Sequence, residues 1–343
     1  MVNNIKTPIK LDHLKTLTDD TGILQHTKYS IPNRKKGYTT DDNARALVAC
    51  AKFLQLHGDS DVSNLANTYL SFLFHMQRPD GKFHNLLSYD RGFLDDVGSE
   101  DCMGRSLWAC GYTVLASFSK GIRTTSKEIF DKGFRHSPTF KSPRAKAFTI
   151  LGLCYYYEAF PNDRNLFKNI VSLSEQLLDS YQRASSSDWC WFEPYLTYVN
   201  ARLSQALFRA YTVTGDERYL HTAKESFDFL VKVQIADEKF VPIGNRGWYQ
   251  KDGQRALYDQ QPIEASCMVE AALAAFHVTS EEKYQKVAYI AFEWFFGKNT
   301  RSVIVYDATT GACHDGINPQ GLNLNQGAEA TISYLVARLE LET

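Results

Sequence analysis

Apolar positions along the chain fall into helical patterns of two kinds, which alternate. The segment 41–57 becomes apolar almost all round after its first turn, as is typical of a helix buried on most sides. The next segment places Val62, Leu65, Tyr69 and Leu73 on a single stripe, as expected for a surface helix that packs on an inner one. The alternation then continues as inner 104–118, outer 127–133, inner 145–160, outer 166–178, inner 201–213, outer 220–230, inner 263–278, outer 284–296 and inner 328–339.

This alternation gives six inner and six outer helices if segment 5–17 supplies the outer partner of the last inner helix. The spacing between successive inner helices is too long and uneven for tetratricopeptide-type repeats, whose period is about 34 residues. A closed ring also requires no capping repeats at its ends. The pattern therefore predicts an all-α (α/α)6 toroid of six helical hairpins, with residues 1–343 forming one domain. The predicted inner helices begin near residues 41, 101, 145, 200, 262 and 327.

The extra length of each repeat lies in the loop that leads from an outer helix to the next inner helix. Short β-hairpins are expected in two of these loops, at 239–243 and 303–306. All of the loops should lie on one face, above the N-termini of the inner helices, and long loops gathered on one rim usually form a binding site. The longest of them are rich in Gly, Asp, Asn and aromatic residues and span 78–98, 183–194, 236–258 and 301–324.

Composition and charge exclude several classes of protein. The 343 residues include 38 Lys and Arg against 39 Asp and Glu, whereas nucleic-acid binding normally requires a basic excess. No apolar run is long enough for a bilayer span, and the start, MVNNIKTPIK, lacks the apolar stretch of a signal peptide. The seven cysteines form no Cys-x-x-Cys pair, so we expect a reduced, cytoplasmic protein without disulfides or zinc. No motif indicates a cofactor or a metal.

Polar residues interrupt the apolar pattern chiefly at the starts of the inner helices. Capping is the simpler explanation of any one cluster, since Thr40, Ser99, Asp259 and Asn325 are ordinary N-cap types. Five such clusters on one rim, combining acids, amides and arginines, instead favour a pocket for a polyhydroxylated ligand. The residues that we expect to bind this ligand are His26, Asn43, Arg45, Arg105, Glu193, Tyr198, Asn200, Arg202, Trp248, Asp259, Gln260, Gln261, Glu264, Asn325, Gln326 and Glu329.

Cleavage of a glycosidic bond is the reaction that suits such a rim best. It requires one carboxylic acid to protonate the leaving oxygen and one carboxylate to act as nucleophile or base. Asp41 and Asp42 are the first candidates, because adjacent carboxylates repel and thereby raise the pKa of one of them. Consecutive helical residues point about 100° apart. Asp101 or Glu100, on the neighbouring inner helix, is therefore the alternative partner.

These features resemble known glycosidases. A ring of six hairpins resembles the six-hairpin glycosidase superfamily, and GYTTDDNARALVA, at 37–49, is similar to the Asp-Asp helix start of the endo-α-1,6-mannanases of glycoside hydrolase family 76. That resemblance implies Asp41 and Asp42 as nucleophile and acid. Ala44, Arg45 and Ala46 replace the aromatic residues usual in that family, and the pair lies on the first inner helix rather than a later one.

Over nearly its full length the chain looks more like a group of uncharacterised bacterial glycosidase-like proteins that share a GYxTDDNARAL motif. Such proteins are often associated with glycosyltransferases or mannoside phosphorylases, which suggests a mannose-containing glycan as substrate. The shared pieces appear here at 25–26, 37–47, 100–101, 198–202, 259–264 and 325–329.

Two alternatives to hydrolysis stay open. Sugar epimerases on the same toroid use a pair of histidines as acid and base, so His26, His84, His136 or His314 would have to converge. A non-catalytic carbohydrate-binding protein would use the rim acids only to hydrogen-bond the sugar. In each case the expected partner is a short oligosaccharide.

Overall fold

The computed structural model describes residues 8–58 and 60–343, and α-helices make up most of this part of the chain. Two short 3-10 turns occur at Arg34–Lys36 and Ser137–Thr139. The α-helices are α1 Asp12–Leu17, α2 Thr40–His57, α3 Ser60–Met76, α4 Glu100–Leu115, α5 Lys120–Phe134, α6 Pro143–Ala159, α7 Arg164–Ala184, α8 Ala201–Thr214, α9 Glu217–Gln234, α10 Pro262–Thr279, α11 Glu282–Glu293 and α12 Ala328–Glu340.

The even-numbered helices form a closed inner ring. Each contacts the next, and α12 returns to contact α2. Outside them, α3, α5, α7, α9 and α11 each pack on the inner helix that precedes them. The predicted (α/α)6 toroid is therefore confirmed, and every inner helix begins within two residues of its predicted start.

The sixth outer helix is shorter than predicted. It covers only Asp12–Leu17, which packs on α12 and buries Leu14 and Leu17. The earlier part of the predicted segment, residues 5–7, lies outside the described residues.

The two kinds of helix differ in burial as their sequences predict. In α10, every side chain from Pro262 to Ala275 is buried, because small or apolar residues occupy nearly all sides of this helix. In α7 the buried residues include Leu166, Ile170, Leu173 and Leu177, which recur three or four positions apart and form one stripe. No helix among the described residues is long and apolar enough to cross a membrane.

Side-chain caps explain fewer of the rim residues than expected. Ser99 caps α4 by accepting a hydrogen bond from the amide of Cys102 at 3.1 Å. The helix α2 is capped by Thr39, whereas Thr40 lies inside it and donates to the carbonyl of His84. Of the four predicted caps, only Ser99 caps a helix, since α10 begins after Gln261 and α12 after Gly327 rather than after Asp259 and Asn325.

Short strands fasten the rim loops to one another. The pairs are β1 Thr27–Lys28 with β2 Ile31–Pro32, β3 Tyr38–Thr39 with β4 Leu86–Leu87, β5 Tyr195–Leu196 with β8 Tyr249–Gln250, β6 Ile235–Ala236 with β7 Lys239–Phe240, β9 Tyr306–Asp307 with β10 Ala312–Cys313, and β11 Gly316–Asn318 with β12 Gly321–Asn323. Gly37, at φ +63°, allows β3 to approach the carbonyl of Leu87 in β4 more closely than a residue with a Cβ could. The first expected hairpin is present as β6 and β7, whereas the strands of the second lie further along, as β9 and β10.

Candidate active site

A two-lobed cavity, which we call the funnel, opens at the rim where α2, α4, α10 and α12 begin. Its larger lobe has a volume of about 520 Å³ and lies over α2, α10 and α12. Its smaller lobe, of about 260 Å³, lies over α2 and α4. Four residues line both lobes, and we call them the neck: Asp41, Arg45, Gln261 and Glu329.

Most of the predicted site residues meet at this funnel. No residue of α6 or α8 lines either lobe within the described part of the chain, so the funnel lies to one side of the ring axis. The predicted residues that line it are His26, Asp41, Asp42, Arg45, Asp101, Arg105, Tyr198, Trp248, Asp259, Gln260, Gln261 and Glu329.

Asp41 is the carboxylate placed most directly between the lobes. Its Oδ1 is 3.2 Å from Nη1 of Arg105, and its Oδ2 accepts a hydrogen bond from the side chain of Asn85 at 3.4 Å. The same Asn85 accepts from the backbone N–H of Asp41 through Oδ1. About a fifth of the Asp41 side chain is exposed, so a ligand in either lobe can reach it.

Asp42 lies deeper, in the wall of the larger lobe. Only 3% of the residue is exposed, and burial raises its pKa to about 6, although Arg45 acts in the opposite direction. Its Oδ2 accepts a hydrogen bond from the Thr39 hydroxyl at 2.7 Å. The neighbouring Asp41 raises this pKa only as the smallest of the causes, so burial rather than repulsion separates the two carboxyls.

Arg45 joins Asp42 to Glu329 on the last inner helix. Its Nη1 is 3.3 Å from Oδ1 of Asp42 and 2.7 Å from Oε2 of Glu329. The two carboxylate oxygens are therefore at most about 6 Å apart. Glu329 is 37% exposed and faces both lobes.

Arg105 forms the base of the smaller lobe. Its guanidinium lies 4.8 Å from the ring centre of Phe148 and 5.9 Å from that of Tyr198. Asp101 accepts hydrogen bonds from the Tyr198 hydroxyl and, at 2.6 Å, from that of Ser142. Burial and the adjacent Asp101 raise the pKa of Tyr198, so the phenol keeps its proton and donates it in a hydrogen bond.

No family model matches the chain, and no curated protein does. Solved structures match it along nearly the whole length. A sugar epimerase from a ruminal bacterium superposes with a TM-score of 0.77 at 11% identity, covering 100% of this chain and 99% of that one. D-mannose isomerase superposes at 0.76 and 15% identity, covering 96% and 94%. The GH76A α-1,6-mannanase of Salegentibacter sp. HEL1_6 gives 0.68 and 12%, covering 96% of each chain.

The likeness is one of fold. The neighbours are (α/α)6 toroid enzymes that act on carbohydrates, and the distant similarity to endo-α-1,6-mannanases is confirmed at that level. At 11 to 15% identity, the reaction has to be argued from the funnel itself.

Several predicted site residues lie outside the funnel because they hold the rim together. The Oε2 of Glu100 accepts from the backbone amides of Lys141 and Ser142, and this carboxylate lines neither lobe. Asn43 is fully buried and bonds to the backbone of Ile23 and Thr39. These two side chains therefore hold loops in place and do not line the funnel.

A second group supports the turn that carries Tyr198. Glu264 accepts from the amide of Val199 at 2.6 Å, and Val199 is held at φ +44°, a conformation that β-branched residues rarely adopt. Asn200 bonds to both backbone groups of Thr197. Glu193 pairs with Arg144 at 2.6 Å, and Arg144 also donates to the carbonyl of Tyr198.

The remaining predicted site residues that do not line the funnel lie below or beside it. Arg202 pairs with Glu270 in the centre of the ring, and its guanidinium is 4.6 Å from the ring centre of Trp108. Asn325 accepts from the amide of Tyr29. Gln326 is buried and its side chain is 3.4 Å from Asp307.

Asp315 and Asn85 line the larger lobe although sequence reasoning did not select them. Asp315 accepts from the amide of Gly327 at 2.7 Å, directly before α12, and burial raises its pKa. Both residues lie in loops that were expected to form the rim, at 78–98 and 301–324. The signal for both in the sequence is an Asp or Asn within a loop of the predicted rim.

One of the four candidate histidines lines the funnel. His314 directly precedes Asp315, and both it and His26 oppose the rise of the Asp315 pKa, but His314 lines neither lobe. His26 lines the mouth of the larger lobe, and it is the one histidine of the described residues that lines either lobe. His84 bonds to the carbonyl of Asp95, and His136 to that of Asp80. Among the described residues, no group of three or more His, Cys, Asp or Glu side chains is arranged to hold a metal ion.

Proposed function

We propose that this protein is a glycoside hydrolase that cleaves a short oligosaccharide, such as a mannoside, at the neck of the funnel. The observation that carries the proposal is the pair Asp41 and Asp42 at the start of α2. One carboxyl is held by Arg105 and is open to both lobes, whereas the other is buried and has its pKa raised to about 6. Hydrolysis of a glycosidic bond requires two carboxyls with such different properties.

In this mechanism Asp42 is the acid and Asp41 the nucleophile or base. Asp42 donates its proton to the glycosidic oxygen as the bond to the anomeric carbon breaks, and it is left as a carboxylate that Arg45 stabilises. As nucleophile, Asp41 attacks the anomeric carbon and forms a glycosyl ester, which water then hydrolyses after giving a proton to the Asp42 carboxylate. As base, Asp41 instead removes a proton from the water that attacks the anomeric carbon directly. Arg105 and Asn85 hold its two oxygens in place.

A comparison supports the use of consecutive aspartates on this fold. One neighbouring structure is an inactive variant of the Salegentibacter mannanase in which two consecutive aspartates are replaced by alanine, in complex with α-1,6-mannotetrose. A histidine pair, as in an epimerase, would require a second histidine facing the funnel beside His26, and no other described histidine lines either lobe. These observations favour hydrolysis over epimerisation.

The proposal includes a single domain, 1–343, in the cytoplasm. Because α12 packs on α2, neither half of the chain would have a complete inner ring alone. All seven cysteines are unpaired and six of them are buried, which suits a reducing compartment.

The test compares wild type with Asp41→Asn and Asp42→Asn on a panel of α- and β-linked disaccharides and trisaccharides. We expect each variant to lose a factor of about 100 or more in kcat. Wild-type activity should fall as the pH rises through about 6, because Asp42 must hold its proton in order to donate it. Asp96→Asn is the matched control, since Asp96 is fully exposed and does not line the funnel.

Undiminished turnover by Asp42→Asn would contradict its assignment as the acid. Conversion of the panel sugars to epimers, without cleavage, would favour the epimerase alternative. Binding without any conversion would favour a carbohydrate-binding protein.

A further inference from the structure

The two lobes of the funnel differ in charge. In the larger lobe, acidic side chains outnumber the single arginine, Arg45, and polar amides fill the remaining wall. In the smaller lobe, Arg105 joins Arg45, which leaves an excess of one negative charge. The acidic residues of the larger lobe are Asp41, Asp42, Asp259, Asp315 and Glu329, of which Asp42 holds a proton in the proposed mechanism, and those of the smaller lobe are Asp41, Asp101 and Glu329.

The lobes also differ in their aromatic content. Tyr198 and Trp248 line the smaller lobe, with ring centres 6.2 Å apart, whereas no aromatic residue among the described ones lines the larger lobe. Sugar rings bind aromatic faces through their apolar C–H surfaces, while carboxylates and amides bind hydroxyl groups. The lobes are therefore suited to different parts of a glycan.

Trp248 is held in place by its own backbone. It lies at φ +59°, its N–H donates to the carbonyl of Gly244, and its carbonyl accepts from Ala256 at 2.9 Å. The next residue, Tyr249, begins β8, which pairs with β5 just before Tyr198. With its backbone fixed and its partly buried ring beside that of Tyr198, Trp248 presents a preformed surface and loses little conformational entropy on binding.

The smaller lobe is half the volume of the larger one and suits a ligand about the size of one sugar ring. Its volume of about 260 Å³ lies below the 300 to 1,000 Å³ typical of pockets for drug-sized ligands. Asp101 is already engaged by Ser142 and Tyr198, so the lobe is a built site and not a gap between loops.

We propose that the funnel consists of two unlike sugar subsites that meet at the neck. The smaller lobe holds one sugar ring against Trp248, and the larger lobe holds an uncharged sugar whose hydroxyls donate to its carboxylates. Acidic sugars are excluded from the larger lobe by like charge. The substrate is accordingly an uncharged glycan of at least two residues. That its bond is cleaved at the neck rests on the proposed function, whereas its binding across the neck does not.

Isothermal titration calorimetry on the Asp41→Asn protein, which prevents turnover, tests the subsites. The ligands are mannose, α-1,6-mannobiose, α-1,6-mannotriose, cellobiose and cellobiouronic acid, in which one glucose of cellobiose is replaced by glucuronic acid. We expect at least one of the neutral disaccharides to bind about tenfold or more tightly than mannose, and the acidic disaccharide to bind about tenfold or more weakly than cellobiose.

In the Asp41→Asn protein, a second substitution, Trp248→Ala, should abolish the gain in affinity that the second sugar gives. Trp248→Phe should keep most of that gain. Phe74→Ala, an exposed aromatic on α3, is the control and should change nothing. Equal affinity for mannose and every disaccharide, no effect of Trp248→Ala, or no binding of any ligand by correctly folded protein would each overturn the proposal.

The result also separates this proposal from the proposed function. If affinity depends on chain length and on Trp248 while the wild type cleaves none of the ligands, the subsites stand and hydrolysis does not. If the wild type cleaves a disaccharide with a KM that Trp248→Ala leaves unchanged, hydrolysis stands and the subsite does not.

Discussion

At the scale of single residues, carboxyl groups that look alike in the sequence have different surroundings in the structure. Asp41 and Asp42 are neighbours, yet one is open to the funnel and the other is almost fully buried. Glu100 and Asp101 are neighbours too, and only Asp101 lines a lobe. Whether a carboxyl reaches the funnel depends on the direction in which its side chain points from its helix.

Glu264 provides a prediction at this scale. Burial raises its folded pKa to about 8, well above the value near 4.5 for an unfolded glutamate. Between these values the folded state holds a proton that the unfolded state has released, so the free energy of unfolding falls as the pH rises. The full effect of this group on the free energy of unfolding over the window is about 5 kcal/mol.

We expect Glu264→Gln to flatten this dependence, since an amide cannot ionise but can still accept from Val199. Urea denaturation at pH 5, 6.5 and 8 measures how the free energy of unfolding depends on pH. Glu282→Gln is the control, because Glu282 is exposed in the first turn of α11 and should keep the wild-type slope. A variant slope equal to that of the wild type would contradict the role of Glu264.

At the scale of elements, the closest contact in the inner ring is between α4 and α6. A Cβ on Gly152 would lie 2.5 Å from the carbonyl oxygen of Leu107, and one on Gly104 would lie 2.7 Å from that of Ala145. A Cβ on Gly111 would run into the backbone of Gly152. These glycines let the two helices touch through their backbones, which brings the start of α4 and its Arg105 into the ring.

Gly111→Ala should therefore destabilise the protein, although alanine favours helix in isolation. We expect a loss of about 2 to 3 kcal/mol, since neither backbone can move without disturbing the next inner helix. Gly121→Ala is the matched control on the outer helix α5, where the nearest atom to a new Cβ is 4.0 Å away. That variant should be neutral or up to about 1 kcal/mol more stable in urea denaturation. Equal effects of the two substitutions would argue against backbone contact between α4 and α6.

At the scale of the whole molecule, the ring is closed by contacts between its first and last inner helices. Arg45 of α2 pairs with Glu329 of α12 at the rim, and Lys52 of α2 pairs with Glu340 of α12 near the opposite end. Lys52 is only 2% exposed, so its ammonium depends on this partner. The site at the neck therefore exists only when residues almost 300 positions apart come together.

Glu340→Leu alone should cost about 3 to 5 kcal/mol, because it leaves a buried ammonium without its carboxylate. The double variant Lys52→Met with Glu340→Leu should recover most of that loss, since it removes the charge as well. Thermal and urea unfolding measure both. Glu238→Gln breaks the exposed pair with Lys286 and should cost less than about 1 kcal/mol. No recovery in the double variant would contradict an electrostatic origin.

The sequence by itself determined the helices, their alternation and the rim, because the periodicity of apolar residues is a local property of the chain. It also identified the start of α2 and most of the residues around the neck. Tertiary structure alone decided which polar side chains face the funnel. Glu264 and Asn200 support a turn, Glu100 binds loop amides, and Asp315 enters the larger lobe from a distant loop. Those directions depend on contacts between residues far apart in sequence, which no local pattern encodes.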